Sequence, residues 1–333
     1  MKKNSMSVLV LLSVAFLPFL VADQATAFGF YRVLDSFRLG DAVVAPYVKV
    51  GYQRMGVNLN VPIGGINPTG LGWFTMNDMD VKLEKQEFLI GTLGVNTLVR
   101  KRIGFFAEAS VSAERAGSVT TVFSNLPVPN VPTNPTAWSW PSERVRWWEV
   151  NLGGSLKLRD SEALLLGYKF DQLSENLTHP PGAFVQADPL LLGFNYNGDI
   201  VIRTWSPYIG LRLDDRHWRF DLIWSPWLTT YRVQMPLRLS HVYTNEQSVQ
   251  EGRYVLSGGG NLLEAYGEAK FNICEHLAVK PWVKASWLNC HGNGNRDYVG
   301  NSVPFGSWSA SDSALGSLTR NLWALGVSGD IRF

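Results

Sequence analysis

The chain has 333 residues, 17% of them charged, with 30 Lys and Arg against 28 Asp and Glu. That balance, a formal net charge of +2, gives no sign of a nucleic-acid partner, which calls for a basic stripe rather than a balanced mixture. Charged residues fall below the roughly 25% of ordinary soluble domains, while 13 Trp and 31 Gly are many for the length, and two cysteines are too few for a disulfide framework.

The first residues read as a secretory signal. Lys2 and Lys3 precede an apolar run from Ser7 to Ala22, and Ala25-Thr26-Ala27 supplies the small residues of a cleavage site. A mature chain is therefore expected to begin near Phe28, and removing Lys2, Lys3 and Asp23 leaves 28 basic against 27 acidic residues. Residues 28–41 form a short leading segment, and 42–333 one domain. After Phe28 there is no uninterrupted apolar stretch of about 18 residues, so no transmembrane helix is expected. A mature chain of this kind crosses a bilayer only as a closed β-barrel.

Ten alternating segments follow, near residues 42–57, 81–99, 103–117, 146–158, 162–173, 204–213, 218–230, 261–273, 277–288 and 320–333. In the fourth, Trp148, Val150, Leu152, Leu156 and Leu158 share one parity, and Glu149, Asn151, Ser155, Lys157 and Arg159 the other. In the eighth, Leu263, Ala265, Ala269, Phe271 and Ile273 oppose Glu264, Glu268, Lys270 and Asn272. In the ninth, Leu277, Val279, Val283, Ala285 and Trp287 oppose Lys280, Lys284 and Ser286. The first segment changes its apolar parity between Val50 and Val57, which points to a bulge. Residues 184–202 carry the hairpin signal Asn197-Gly198, so twelve strands are the alternative to ten, with a β-ribbon inside the third long loop as the other reading.

Alternation alone also fits a soluble sandwich, and connection lengths separate the two. Gaps at Arg100–Arg102, Asp160-Ser161, Asp214–His217 and Cys274–His276 are tight; those at 58–80, 118–145, 174–203, 231–260 and 289–319 are long. The last segment, Asn321–Phe333, sets Trp323, Leu325, Val327, Ile331 and Phe333 against Ala324, Gly326, Ser328, Asp330 and Arg332. A final strand ending on an aromatic resembles the C-terminal strand of bacterial outer-membrane β-barrels, which is read by the assembly machinery. The resemblance implies an antiparallel transmembrane barrel in a Gram-negative outer membrane, with short periplasmic turns, long extracellular loops and both termini in the periplasm. Its partners are then outer-membrane lipid with lipopolysaccharide, the assembly machinery, and an extracellular ligand. Trp148, Trp205, Trp224, Trp287 and Trp323 fall on the lipid face near the long-loop ends as an interfacial girdle; Phe333 joins Phe105, Trp218 and Phe271 at the opposite rim.

On that topology Cys274 and Cys290 sit at opposite ends of the ninth strand, too far apart to pair. The lumen is expected to hold Lys49, Glu108, Glu114, Glu149, Lys157, Lys169, Asp171, Arg212, Asp214, Arg219, Asp221, Glu264, Glu268, Lys270, Lys280, Lys284, Asp330 and Arg332. Buried charges are tolerable only when paired, and Arg212 with Asp221, or Glu268 with Lys280, are natural cross-strand pairs. Ten strands filled by such side chains form a largely plugged barrel.

Ten strands with five tall outer loops resemble the omptin family of outer-membrane proteases, most closely at Ser206-Pro-Tyr-Ile-Gly-Leu211 and Arg219-Phe-Asp-Leu-Ile-Trp-Ser225. The resemblance implies a water activated by an Asp/His pair that faces two aspartates across the mouth. The omptin Asp-x-Asp follows the third strand, but residues 118–145 contain no aspartate. The loop after the seventh strand offers His241, Glu246 and Glu251 without an Asp-x-His. No omptin catalytic residue is carried over. A rearranged site would use Asp78 or Asp80 of Asp78-Met-Asp80 to orient His241 as a general base. No cofactor or metal site is expected, since no tight His/Cys/carboxylate cluster occurs. The reading is therefore a non-enzymatic surface protein acting through its outer loops, with an omptin-like hydrolase and a narrow channel as alternatives.

Overall fold

The computed structural model describes residues 37–39, 42–66, 73–99, 102–124, 136–177, 184–187, 190–195, 198–215, 217–243, 246–274, 277–302 and 306–331. The leader 1–27, Arg332 and Phe333 lie outside the described residues, as does the side chain of Asp330.

Period-two alternation leaves every strand with two unlike faces, and the chain separates them by closing one antiparallel sheet on itself. Its ten staves are β2 (Ala42–Ile66), β3 (Trp73–Val99), β4 (Ile103–Ser112) continued by β5 (Arg115–Ser124), β6 (Thr136–Arg159), β7 (Glu162–Leu177), β10 (Gly198–Asp214), β11 (Trp218–Tyr243), β12 (Glu246–Ala269) continued by β13 (Phe271–Cys274), β14 (Leu277–Ser302) and β15 (Gly306–Ile331). Each pairs with the next, and β15 returns to β2 through Ser317↔Asn60 to Gly329↔Val48. No sheet edge remains along this stretch, which a lipid environment demands. The short β1 (Phe37–Leu39) pairs with the start of β2. The hairpin β8 (Phe184–Ala187) and β9 (Leu190–Asn195) lies on β11 through Arg238↔Asn195 to Val242↔Leu191. It is a ribbon on the third outer connection and adds no stave, which settles ten strands over twelve.

The segments expected as long loops are largely strand. β11 and β12 run on to Tyr243 and Glu246, and β14 and β15 to Ser302 and Gly306. The 26 residues of β11 measure about 85 Å along the strand. Tilted by about 40°, they rise about 65 Å, against an apolar band about 25 Å tall. Most of the wall therefore stands beyond the band.

The wall changes character at the top of that band. Below, the outer face is apolar, with Leu93, Phe105, Leu152, Leu166, Ile209, Leu222, Val283 and Leu325 exposed, while Lys49, Glu149, Lys169, Asp221 and Glu264 are buried inside. Above, the outer face carries exposed Arg232, Arg253, Asn293, Asn295, Ser311 and Ser313. The interior there is a hydrophobic core of Met55, Leu59, Leu83, Val233, Met235, Leu256 and Leu318. The lower half is built for lipid and the upper half for water.

This inversion explains the first strand. Lys49, Gln53, Met55, Val57 and Leu59 are all buried, so its inward parity is unbroken and only the chemistry of that face changes. The bulge lies across from it in β3, where Leu83 pairs with Val57 and Gln86 with Met55, leaving residues 84 and 85 opposite Gly56 alone.

Aromatic rings reach into the lumen where glycine makes room. A Cβ on Gly51 would lie 2.6 Å from Trp282 Cζ2 and 2.7 Å from the Leu325 carbonyl oxygen. Gly51→Val is therefore expected to overpack the wall at a cost of about 1–3 kcal/mol. Leu256→Ala, in the upper core, is expected to cost about 2–5 kcal/mol. Equilibrium urea unfolding of the vesicle-embedded protein measures both, and an unchanged midpoint for Leu256→Ala would mean that the upper half carries no cooperative core.

Candidate functional site

The densest chemistry lies inside the lower half, where the inward positions of nine staves converge. Lys169 on β7 contacts Glu149 on β6 at 2.9 Å and also Glu264 on β12. Lys284 on β14 contacts the same two carboxylates, Glu149 at 2.7 Å and Glu264 at 3.5 Å. Two lysines and two glutamates thus alternate in a neutral ring across the lumen. Lys169 and Glu149 are 1% and 3% exposed at the side chain, and at that depth each charge needs its partners.

Two further groups flank the ring. Arg320 on β15 spans to Asp171 on β7, with Nη2 donating to Oδ2 at 3.0 Å, and Thr204 donates to the same carboxylate. Near the lower rim Arg212 pairs with Asp221 through Nε to Oδ1 at 2.8 Å and Nη2 to Oδ2 at 2.9 Å, and Arg219 joins from the other side. The forked Arg212–Asp221 pair is the cross-strand partner expected, since these residues sit in register. Lys49 contacts Glu108 at 2.8 Å, Tyr47 Oη donates to the same oxygen at 2.8 Å, and the Lys49 ammonium stands 4.6 Å from the Tyr266 ring centre. Tyr266 Oη donates to Glu268 Oε2 at 2.6 Å. Register sets Glu268 opposite Trp282, two positions from Lys280.

Between these groups remains a space of about 60 Å³, bordered by Lys49, Glu108, Arg212, Asp221, Glu264 and Lys284. It also touches Trp147 and Trp282, whose indole N–H groups find no protein acceptor. At about 15 Å³ per water the space suits about four waters, which satisfy such donors. It is far below the roughly 300 Å³ of a small-molecule pocket.

Several expected lumen charges lie elsewhere. Lys157 reaches down to Asp160 in the turn at 3.3 Å. Asp214 is exposed at the lower rim, its backbone N–H bonded to the Ser161 carbonyl. Glu114 is on the outer face, paired with Arg146 at 2.7 Å and Arg144 at 3.3 Å. Lys280 and Lys270 lie toward the lower end, and both have partners. Sequence reasoning missed Arg320, which opened the tenth segment beside a presumed loop, and the buried Glu175 and Gln53.

Trp224, Trp287 and Trp323 are exposed on the outer face, and Trp148, Phe170 and Trp205 form a row with ring centres 4.8 and 5.4 Å apart. Trp227, 77% exposed, is an addition that alternation did not foresee. Cys290 is a free, buried thiol, and Cys274 lies at the bottom turn opposite Leu277, thirteen residues down the wall.

Of the rearranged Asp/His site, the Asp80 side chain alone falls among the described residues. Asp80 shares the outer parity with Lys82, alternates with buried Val81 and Leu83, and accepts a hydrogen bond from Asn60 Nδ2 at 2.9 Å. His241 is on β11, five staves from β3, paired with Ser248 and Leu192. The side chains of Asp78 and His241 lie outside the described residues. Among the described residues no group of three His, Cys, Asp or Glu is placed to hold a metal.

No family model and no curated protein matches this sequence. Among solved structures it is similar to the outer membrane protease OmpT from Escherichia coli, with a TM-score of 0.55 and 14% identity over 88% of this chain and 99% of that one. Weaker likenesses are the translocator domain of the autotransporter NalP from Neisseria meningitidis (TM-score 0.35, 11% identity, 96% of this chain and 98% of that one) and the toluene transporter TodX of P. putida (TM-score 0.33, 10% identity, 86% and 90%). The first establishes the omptin-like ten-stranded outer-membrane barrel architecture; at this identity the likeness is one of fold.

If the charged ring holds the lower walls together, Lys169→Met leaves two buried carboxylates short of a cation and is expected to destabilise the barrel by about 3–5 kcal/mol. Adding Glu149→Gln should recover part of the loss, so the two substitutions couple in a double-mutant cycle. Additive losses in urea unfolding would show that the ring is not a unit.

Proposed function

We propose that this chain is an outer-membrane surface protein with an occluded lumen, whose protruding upper half is a rigid pedestal for the hairpin tips that meet an extracellular ligand or partner. A single observation carries the reading: two plugs of opposite character fill the same lumen. The charged layer leaves about 60 Å³, and above it Leu256, Val233 and Leu318 close the axis with apolar side chains that are fully buried. An ion entering from either side meets first one barrier and then the other, and the apolar one offers no ligands for it.

The membrane address rests on the apolar outer band, the closed sheet and the signal-like leader that ends at Ala27. Insertion through the C-terminal strand by the assembly machinery, and contact with lipopolysaccharide around the upper wall, complete the proposed set of partners. Function then belongs to the outer ends, as it does for other filled scaffolds.

The refolded protein is expected to give no single-channel conductance in planar bilayers. Conductance should stay at baseline in Glu149→Ala with Lys284→Ala, because the upper core still closes the axis. A step conductance in that variant would support the narrow-channel alternative. A mixed peptide library should also survive incubation equally with the original protein and with a variant carrying Asp78→Asn, Asp80→Asn and His241→Ala. Cleavage by the original alone would replace this proposal with an omptin-like hydrolase.

A further inference from the structure

On β11 the wall makes one irregularity that the lumen does not require. Between Ser225 and Thr229, which pair with Leu262 and Gly260 of β12, three residues face the single Asn261. On the other side the same stretch also exceeds β10 by two residues, since Trp205 pairs with Thr230 and Ile209 with Trp224. The two surplus residues push Trp227 and Leu228 outward, 77% and 56% exposed.

The projection is held from both faces. Trp227 has φ of 53°, a left-handed conformation uncommon for a bulky residue and retained only where the surroundings enforce it. Asn261 Oδ1 accepts from the Trp227 backbone N–H at 2.8 Å, replacing the ladder partner that the bulge removes. Inside, Thr229 Oγ1 lies 3.0 Å from both Ser225 Oγ and Ser206 Oγ, donating to one hydroxyl and accepting from the other, and all three side chains are buried. These hydroxyls staple the ends of the bulge to each other and to β10.

We infer that Trp227 and Leu228 form a rigid wedge inserted among the lipid headgroups of the outer leaflet, fixing the depth at which the barrel rides in the bilayer. The inference rests on the membrane reading above. Its occupant follows from continuity with the apolar band: Trp224 lies 6.5 Å from Trp227 between ring centres, and Leu222 and Leu263 extend the exposed apolar surface below. Its level follows from the strand. Leu228 lies opposite Asn261, eight residues along β12 from Ala269, the partner of Trp218 at the lower rim, so it stands about 20 Å higher at about 2.5 Å of rise per tilted residue, near the top of a hydrocarbon band about 25 Å tall. The next outward residues, Thr230, Arg232 and Gln234, are polar. An indole at that boundary buries its ring while its N–H stays at the headgroups.

The test places a polarity-sensitive fluorophore on Leu228→Cys in a Cys274→Ser, Cys290→Ala background, refolded into phosphatidylcholine vesicles brominated near the carbonyl end or near the methyl end of the chains. Leu222→Cys and Gln234→Cys serve as references. The Leu228 probe is expected to lose most of its emission to bromines near the carbonyl end and little to those near the methyl end. Leu222 should respond to both and Gln234 to neither. A Leu228 probe that behaves like Gln234 while Leu222 is quenched overturns the wedge and leaves the membrane reading standing; an unquenched Leu222 overturns both. Oxidative cross-linking of unlabelled Leu228→Cys between copies would give the surface to a second copy of the chain and likewise overturn it. Asn261→Ala, which frees the Trp227 amide, should spread Leu228 quenching over both depths; an unchanged profile would contradict a rigidly held wedge.

Discussion

A closed sheet has one wall and two sides, and here each side must change its chemistry at the same height. In the band the wall needs apolar side chains outside and therefore directs its polar alternates inward, where water is scarce. Above the band the outside is wet, and the same alternation delivers apolar side chains to the interior. The β-strand period of two makes this exchange cheap in backbone terms. β2 accomplishes it with no change of inward parity, passing from Lys49 and Gln53 to Met55 and Leu59 on one face. Fold, occlusion and height above the membrane all depend on that exchange.

The charged layer is the harder half of the arrangement. Bringing Glu149, Lys169, Glu264 and Lys284 out of water costs several kcal/mol per ion, and mutual contact offsets this only if every member is satisfied. The ring meets that condition by giving each lysine both carboxylates. Such a layer contributes specificity of closure more than net stability, because a stave displaced by one residue would turn its charge outward into lipid.

Much of this was legible in the sequence, because alternation over ten segments and the alternation of tight and long connections both follow directly from the barrel. The Arg212–Asp221 pair was legible as well, being set by one tight turn and an even count. The upper half was not, for a physical reason. In a membrane barrel the apolar alternates are expected to face lipid, so Val233 and Met235 beside Arg232 and Gln234 read as the end of a strand rather than as its continuation with the faces exchanged. Arg320 was lost at that same boundary. The bulge at residues 84 and 85 of β3 places Asp80 on the outer parity. Below it the even positions Gln86, Phe88 and Ile90 are buried, and above it the odd positions Val81 and Leu83 are. One surplus residue therefore moves an aspartate from the mouth to the outer wall, and nothing in the composition near it announces the shift.

The placement of the ring also constrains how the barrel forms. Its four members come from β6, β7, β12 and β14, so the first and last are 135 residues apart in sequence. Until β14 has docked, Glu149 and Lys169 would face an incomplete lumen with half of their partners missing. Closure through β15 and β2 follows immediately, since β14 pairs along its whole length with β15. The local hairpins can form early, but the charged interior becomes tolerable in lipid only when nearly the whole ring of staves is present. Long-range pairing of this kind is slow, and it favours a route in which the sheet closes as it inserts over one in which single hairpins cross the bilayer first.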